Sequence, residues 1–187
     1  MNIRREWAMP NANTFNVPPI RRLVLDYVGK VMSRAGGGGT IVDPFANQNN
    51  LATITNDLNP AFDTTYHLDA TEFLKRLGDA SADLVLYDPP YSSRQVVECY
   101  KRFGGTVDMQ TTQASYWAKQ KREIGRIVKP NGHVITCAWN SGGIGQRYGF
   151  EIVEILLVAH GGWHNDTIVT VERKAPTLFD LEGGETP

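Results

Sequence analysis

The chain has 187 residues, a formal net charge of −1, 41% hydrophobic residues and 21% charged residues. This composition is that of a globular protein, and it argues against non-specific binding of nucleic acid over the whole surface. No run approaches eighteen apolar residues, no signal-peptide pattern is present, and two cysteines are too few for a disulfide framework or a metal cluster. We therefore predict a non-exported protein without a metal site or a membrane partner.

The first part of the chain predicts an arm followed by a helix. Residues 1–17 are rich in turn formers with scattered aromatic side chains, and we interpret them as an ordered arm rather than a helix. Pro18 and Pro19 favour a helix start, because proline fits the first turn of a helix. Apolar residues then follow with helical spacing at Ile20, Leu23, Val24, Tyr27, Val28 and Val31.

Three short apolar segments predict strands that each end in an acidic residue. The segments are 40–43, 52–57 and 66–69, and their acids are Asp43, Asp57 and Asp69. The carboxyl ends of parallel strands form the ligand-binding edge of an open α/β sheet, where an acid such as Asp57 suits the two hydroxyls of a ribose. Each acid taken alone could also be a helix N-cap or part of a solvated turn.

The most informative stretch is residues 82–91. Leu84 to Tyr87 form an apolar run of the length expected for a central parallel strand, and Asp88 follows at its carboxyl end. Pro89 and Pro90 have no backbone N–H and fix φ, so they hold Asp88 and Tyr91 in a stiff array. An ordinary Asp-Pro turn, with the tyrosine in the core, is the plainer interpretation.

The run from Asp88 to Tyr91, directly after an apolar strand, resembles the catalytic Asp-Pro-Pro-Tyr motif of S-adenosylmethionine-dependent amino-methyltransferases. Residues 40–47 are similar to the cofactor motif of the same enzymes, in which a strand ends in Asp-Pro-Phe and a turn of small residues. The glycines expected after Ala46 are replaced here by the polar residues 47–50. Asparagine tolerates a left-handed backbone, so the turn is still feasible.

The resemblance covers roughly residues 10–174 and implies S-adenosylmethionine as the cofactor. In the family the N-terminal arm helps to cover the methionine part, and an acid in the position of Asp69 accepts the adenine amine. Asp43 would meet the cofactor amino group directly or through water, and Leu58 could lie against the adenine ring. The residues expected at the cofactor are Pro10, Asn11, Thr14, Phe15, Asp43, Pro44, Phe45, Ala46, Asn47, Asp57, Leu58, Asp69 and Ala70.

The resemblance also assigns a catalytic role to Asp88, Pro89, Pro90 and Tyr91. An adenine N6 amine is a poor nucleophile, because its lone pair is delocalised into the ring. The carboxylate of Asp88 and the carbonyl of Pro89 would accept its two N–H groups and make the nitrogen more tetrahedral. Tyr91 would stack on the base, which must leave the duplex to be reached. Catalysis would then rest on positioning and electrostatics.

After Tyr91 the chain becomes locally basic. Residues 94–129 contain eight lysines or arginines and three acids, with aromatic residues between them. This stretch is the predicted nucleic-acid surface, although a solvated helix face would carry lysines in the same way. The residues expected to contact the polymer are Arg94, Lys119, Lys121 and Arg122, and the alternative surface consists of Arg4, Arg5, Arg21 and Arg22.

The last third of the chain predicts the end of the sheet. Residues 133–138 form a strand, and the flexible loop 139–145 follows at its carboxyl end, where it could line a base pocket. Residues 149–158 and 166–171 predict two closing strands in an antiparallel hairpin. We predict a Rossmann-like class I methyltransferase fold with a mostly parallel sheet of about seven strands. It would form one domain over residues 1–175, followed by a flexible tail at 176–187.

The preferred function is methylation of adenine N6 in DNA, as in small restriction-modification or phage enzymes, in the cytoplasm of a bacterial cell or a phage-infected host. Cytosine N4 is the near alternative. RNA methyltransferases that act on guanine N2 or adenine N6 share the catalytic motif. The altered glycine turn also allows a non-catalytic cofactor- or partner-binding module. No segment is long enough for a separate target-recognition domain, so specificity is low or another protein supplies it.

Overall fold

The computed structural model describes residues 1–102 and 114–176. Its helices are α1 (Pro18–Arg34), α2 (Ala70–Lys75), α3 (Ser93–Arg102) and α4 (Ala114–Ile127). Its strands are β1 (Asn2–Trp7), β2 (Ile41–Asp43), β3 (Ile54–Thr55), β4 (Ala82–Tyr87), β5 (Val128–Ala138), β6 (Phe150–Ala159) and β7 (Thr167–Lys174). Most of the predicted tail, and the segment 103–113 of the predicted basic stretch, lie outside the described residues.

The seven strands form one sheet in the order β1-β6-β7-β5-β4-β2-β3. Strands β3, β2, β4 and β5 pair in parallel, and β1 is parallel to β6. Strand β7 is antiparallel to both of its neighbours, β5 and β6. The prediction of a mostly parallel sheet of about seven strands with a C-terminal antiparallel hairpin is therefore confirmed.

Helices cover both faces of the central strand β4. Because successive side chains of a strand point to opposite faces, Leu84 and Leu86 pack with α1 while Val85 and Tyr87 pack with α2 and α4. All four side chains are almost completely buried. The sheet therefore holds the end of β4, and the Asp88 that follows it, between two hydrophobic layers.

The seventh strand is not the one that the sequence predicts. At 66–69 the structure has only an isolated bridge between Asn56 and Tyr66. The Asn56 side chain accepts from the Leu68 N–H at 3.0 Å and donates to the Leu68 carbonyl at 3.0 Å, so it takes the backbone groups that a neighbouring strand would pair. Asp69 then caps α2, which leaves no room for a longer strand. The N-terminal arm supplies the seventh strand instead, as β1.

The arm is fixed where it leaves β1. The Ala8 N–H donates to the Ala159 carbonyl at 3.1 Å, and the Ala8 carbonyl accepts from Nδ1 of the buried His160 at 2.7 Å. Since a carbonyl can only accept, Nδ1 carries the proton, and Nε2 accepts from the Thr167 hydroxyl at 2.8 Å. This clamp directs the following residues across the carboxyl edge of the sheet, where Phe15 is buried.

Within the two described segments, no helix has both the length and the apolar character that crossing a bilayer would require.

Candidate active site

The carboxyl ends of β2, β3 and β4 lie side by side, which brings the acids that follow them to one edge of the sheet. A cavity of about 370 Å³ opens there, between the arm and the end of β4. Its walls include five of the acids and aromatic residues that the sequence selected, namely Phe15, Phe45, Asp57, Asp88 and Tyr91, together with Thr14 and Asn47. The structure therefore gathers residues that are far apart in the chain around one space.

A smaller cavity of about 80 Å³ lies beside it. Phe45, Asp57 and Pro90 border both cavities. The smaller one is also lined by other residues that the sequence assigns to the cofactor, which are Pro44, Leu58, Asp69 and Ala70. Pro10 and Asn11 line a third cavity on the far side of Tyr91, whereas Asp43 and Ala46 are buried.

Asp43 is completely buried, and both of its carboxylate oxygens are hydrogen-bonded. Oδ1 accepts from the Phe45 N–H at 3.0 Å, and Oδ2 accepts from the Asn49 side chain at 3.2 Å. Burial raises the pKa of Asp43 to about 8, the Phe45 N–H opposes this shift, and the nearby Asp88 adds to it. This residue therefore supports the turn after β2 from within.

The turn after β2 has asparagines where glycines are expected, and its backbone adopts a conformation that asparagine tolerates. Asn47 has a φ of 51°, in the left-handed region, and its N–H donates to Oδ2 of Asp57 at 2.9 Å. The other oxygen of Asp57 accepts from the Asn59 N–H at 2.8 Å. The turn after β2 and the end of β3 are thus joined through one carboxylate, which also faces the 370 Å³ cavity.

The carboxylate of Asp69 has no free oxygen. Oδ1 caps α2 by accepting from the Thr71 N–H at 2.8 Å, and Oδ2 accepts from the Tyr100 hydroxyl at 2.6 Å. The Tyr116 hydroxyl lies 3.3 Å from the same Oδ2. Burial and the bond to Asp69 raise the pKa of Tyr100 far above its usual range, so it is a donor at neutral pH. The oxygen predicted to meet an adenine amine is occupied by a side chain of α3.

Asp88 sits at the inner end of the main cavity. Its Oδ1 accepts from the Tyr91 hydroxyl at 2.6 Å. Burial raises the pKa of Asp88 to about 6, and hydrogen bonds from Tyr91 and Thr14 limit that rise. The carboxyl group is therefore mainly ionised at pH 7 and becomes protonated in mildly acidic solution.

Two contacts hold the backbone of the Pro-Pro-Tyr segment. The Tyr91 N–H donates to the Gln95 side chain at 2.6 Å, and the Trp117 indole donates to the Pro90 carbonyl at 3.0 Å. Helices α3 and α4 thus each contribute one side chain that fixes this segment. Neither residue belongs to a motif of its own, so no sequence pattern selects Gln95, and Trp117 is one of the aromatic residues within the basic stretch.

Tyr91 also forms a wall of two cavities on the side away from Asp57. One, of about 440 Å³, is bordered by Trp139, Trp163 and His164, and the other, of about 240 Å³, by Trp117, Lys121 and Trp139. The rings of Tyr91 and Trp139 meet edge to face with centroids 5.6 Å apart. The indole of Trp163 is fully exposed, and no pattern in the sequence predicts this.

Glu172 of β7 anchors the loop that carries Trp139. This buried carboxylate accepts from the Ile144 N–H at 2.6 Å and from the Gly145 N–H at 2.8 Å, and burial raises its pKa. Gly143 has a φ of 48°, and a Cβ there would stand 2.3 Å from the carboxylate, so only glycine fits. Trp139 of this loop lines both cavities beside Tyr91, and the prediction that the loop lines a base pocket stays a prediction.

The predicted nucleic-acid residues differ in their exposure and in their neighbours. Lys121 is half-buried in the wall of the 240 Å³ cavity, and burial lowers its pKa. Lys119 and Arg122 are exposed on α4, whereas Arg94 is exposed on α3 and pairs with Glu98 at 2.9 Å. Of these residues, Lys121 is the one that borders Tyr91 and Trp139.

No protein-family model matches the chain, and no curated protein matches it in sequence. Solved structures do share its fold. The 1,6-didemethyltoxoflavin-N1-methyltransferase of Burkholderia thailandensis, solved with S-adenosylhomocysteine, is 11% identical with a TM-score of 0.52, over 82% of this chain and 78% of that chain. The N-methyltransferase NodS of Bradyrhizobium japonicum was also solved with S-adenosylhomocysteine. It is 12% identical with a TM-score of 0.51, and the match covers 89% of this chain and 94% of NodS. The fold is that of the class I methyltransferases.

TrmN of Thermus thermophilus is a third structure with this fold, at 15% identity and a TM-score of 0.50 over 84% of this chain. The match covers 49% of TrmN, so the chain spans about half the length of that protein. At these identities the likeness establishes the fold, and the chemistry has to be argued from the residues of this chain.

The buried Asp43 makes the stability of the protein depend on pH. Because its pKa is raised in the folded state, the folded protein binds the proton more tightly, so stability falls as pH rises from about 4 to about 8. The free energy of unfolding falls by at most about 1.4 kcal/mol per pH unit. Each kcal/mol lost lowers the melting temperature by about 2–4 °C. Thermal unfolding of the wild type and Asp43→Asn between pH 6 and 8, above the titration of Asp88, should show a clearly smaller pH slope in the variant. Equal slopes would contradict a neutral Asp43.

Proposed function

We propose that the protein transfers a methyl group from S-adenosylmethionine to the exocyclic amine of a nucleobase, with adenine N6 in DNA as the target. The observation that carries the proposal is the position of the Asp88 to Tyr91 motif between two kinds of space. Asp88 and Tyr91 line the cavity that is also bordered by Asp57. On the other side, Tyr91 lines the two cavities bordered by aromatic rings, and Pro89 and Pro90 line the smaller of these two. A methyl donor and an acceptor base can therefore approach the same motif from opposite directions.

The cofactor assignment has two supports. The chain has the class I methyltransferase fold, and two structures with that fold were solved with S-adenosylhomocysteine, the product of methyl transfer. The second support is the set of acids at the strand ends. Asp57 lies where the two cavities meet, which suits ribose hydroxyls, and the 80 Å³ cavity between Leu58 and Asp69 suits the start of an adenine site.

The acceptor assignment rests on the Asp88 to Tyr91 motif. Asp88, ionised at pH 7, and the Pro89 carbonyl accept the two N–H groups of the amine, which directs the nitrogen lone pair at the methyl group. The cofactor supplies an electrophilic methyl on a sulfonium, which leaves as a neutral thioether. The nitrogen gains the methyl group and releases one proton to solvent. Burial strengthens the hydrogen bonds that Asp88 accepts.

The aromatic walls support a flat acceptor. Tyr91 and Trp139 meet edge to face, which leaves ring faces available for a base. Trp163, with its indole fully exposed next to the 440 Å³ cavity, suits stacking on a neighbouring base of a single strand or an opened duplex. The polymer would then cross this aromatic side, with Lys121 at its edge, rather than the outer face of α4.

Incubation with cofactor labelled in its methyl group, separate pools of DNA and RNA, and mass spectrometry of the digested nucleosides tests the proposal. N6-methyladenine in the DNA pool is the expected product. Label only in RNA, or only on cytosine, would contradict the assigned target, and label in neither pool would contradict the proposed activity.

Tyr100 and Asp57 should affect cofactor affinity in opposite directions. Tyr100→Phe removes the donor that occupies Asp69, so S-adenosylmethionine should bind up to about tenfold more tightly, the scale of one hydrogen bond to a charged group. Asp57→Ala should weaken binding by about tenfold or more for the same reason. Titration calorimetry measures both constants.

Tyr116→Phe is the matched control, since its hydroxyl lies 3.3 Å from Asp69 instead of 2.6 Å and its removal should have the smaller effect. Tighter binding by Tyr116→Phe than by Tyr100→Phe would contradict the competition at Asp69.

Methyl transfer should depend on the ionisation of Asp88. Below pH about 6 the carboxyl group is protonated and accepts the amine poorly, so kcat/KM should fall by about tenfold per pH unit. Asp88→Ala should lower kcat by about 10²–10³-fold, the scale of one lost electrostatic group, while cofactor affinity changes little. Single-turnover rates from pH 5 to 8 measure the effect.

Asp88→Asn is the control for this titration, because its amide oxygen accepts a hydrogen bond but does not ionise. The variant should be slower and lack the acid limb. A native rate in Asp88→Ala would rule out the mechanism.

Trp163 should contribute to binding of the polymer and not of the cofactor. Trp163→Ala should lower affinity for single-stranded DNA by about 1–3 kcal/mol, the usual value of one stacked base, while Trp163→Phe retains most of it. Fluorescence anisotropy with a labelled oligonucleotide gives the affinity, and calorimetry with S-adenosylmethionine is the control. Unchanged anisotropy in Trp163→Ala would remove this residue from the nucleic-acid surface.

A further inference from the structure

Strand β1 forms one outer edge of the sheet and carries exposed apolar side chains. Ile3, Trp7 and Met9 are 57%, 65% and 60% exposed. Ile3 and Trp7 lie on the same face of the strand as Arg5, because side chains alternate along it. No strand of the described residues pairs with the outer side of β1, so this edge presents backbone groups beside apolar surface and is a template for another strand. Nothing in the proposed methyl transfer uses it.

The opposite face of β1 is already arranged in ion pairs. Arg4 binds Glu154 of β6, with 2.6 Å between the charged atoms, and Glu6 binds Arg22 of α1. Ala8 continues this face into the core. The edge therefore has one apolar face and one face on which a positive and a negative charge alternate along the strand.

We propose that β1 is the interface of a homodimer, in which two copies pair their β1 strands antiparallel about a twofold axis and form one continuous sheet. The sequence of the strand favours a second copy of β1 as the partner. When two copies pair antiparallel in one particular register, each face of the strand is complementary to the same face of the other copy. This inference does not depend on the proposed methyl transfer.

Twofold symmetry restricts the register. Each residue must face one on the same side of the sheet, so the residue on the axis within the charged part of the strand is Arg4, Arg5 or Glu6. With Arg5 on the axis, Arg4 faces the partner's Glu6 and Ile3 faces the partner's Trp7. With Arg4 or Glu6 on the axis, that charge faces its own copy, and Ile3 no longer faces the tryptophan.

The favoured register extends the existing ion pairs. Arg22 and Glu6 of one copy would meet the partner's Arg4 and the partner's Glu154, in a row whose charges alternate in sign. The symmetry repeats this row on the other side of the axis. On the opposite face, two pairs of isoleucine with tryptophan would remove the exposed apolar area from water, the kind of cross-strand pair that stabilises sheets.

The register has one unfavourable pair, Arg5 with the partner's Arg5, since like charges directly opposite are destabilising. This feature gives the proposal a distinctive test. Replacing Arg5 by threonine removes the repulsion and keeps a residue that suits a strand, so it should strengthen the dimer. Loss of a charge from an edge strand also favours non-specific edge pairing, so the register itself is tested separately by cross-linking.

The first measurement is the molar mass of the full chain by sedimentation equilibrium over a range of concentrations. The wild type should dimerise, Arg5→Thr should dimerise at several-fold lower concentration, and Ile3→Lys combined with Trp7→Lys should be a monomer. Ala61→Lys is the control, because Ala61 is an exposed residue of the loop after β3, at the opposite edge of the sheet, and this variant should behave as the wild type. A monomeric wild type, or a dimer that the double lysine variant leaves intact, would overturn the proposal.

The second measurement fixes the register, in a Cys99→Ser background because Cys99 is the exposed native thiol. Arg5→Cys should form an intermolecular disulfide on mild oxidation, since residues opposite each other in an antiparallel pair have Cα atoms about 4.5–5.5 Å apart. Trp7→Cys alone should not, because its copy lies about 13 Å away along the strand. A mixture of Ile3→Cys and Trp7→Cys should cross-link. Faster cross-linking of Trp7→Cys alone than of Arg5→Cys would refute this register.

Discussion

The burial of carboxyl groups at the carboxyl edge of the sheet is the constraint on which the rest of the site depends. Asp43 and Asp88 follow neighbouring strands, and each is shielded enough from water to raise its pKa. A buried carboxyl group is tolerated only when hydrogen bonds satisfy its oxygens. The turn after β2 does so for Asp43, and the arm and Tyr91 do so for Asp88. The loops around the site therefore have to fold in one way.

The same constraint explains why Asp43 and Asp88 differ in protonation and in their access to a ligand. Asp43 is enclosed by its own turn, which favours a neutral group that supports the backbone. Asp88 borders an open cavity, and its pKa of about 6 leaves it ionised at neutral pH and able to accept a donor from a ligand. One sheet edge thus provides one carboxyl group that is enclosed by its own turn and one that a ligand can reach, and their difference comes from access rather than from residue type.

Much of the fold could be predicted because it depends on local patterns. The apolar run of β4, the proline start of α1 and the two closing strands are all set by neighbouring residues in the chain. The prediction of a strand at 66–69 was wrong because the Asn56 side chain forms hydrogen bonds with the backbone of Leu68. Hydrophobic periodicity in the sequence does not reveal a contact of this kind. Strand β1 was missed because its alternation of apolar and charged residues joins a distant partner, β6, that the sequence does not name.

The residues of the site likewise include some that the sequence could predict and some that it could not. The acids at strand ends could be found because parallel strands share one edge, and the left-handed turn at Asn47 follows from the tolerance of asparagine for that backbone. The bond from Tyr100 to Asp69 could not be found, since it depends on how α3 lies over the sheet. Gln95, which precedes Tyr100 by five residues on α3, holds the backbone of Tyr91. A ligand that displaces Tyr100 from Asp69 would therefore act on the helix that also positions Tyr91, the residue proposed to stack on the base. This couples the two halves of the proposed site through α3.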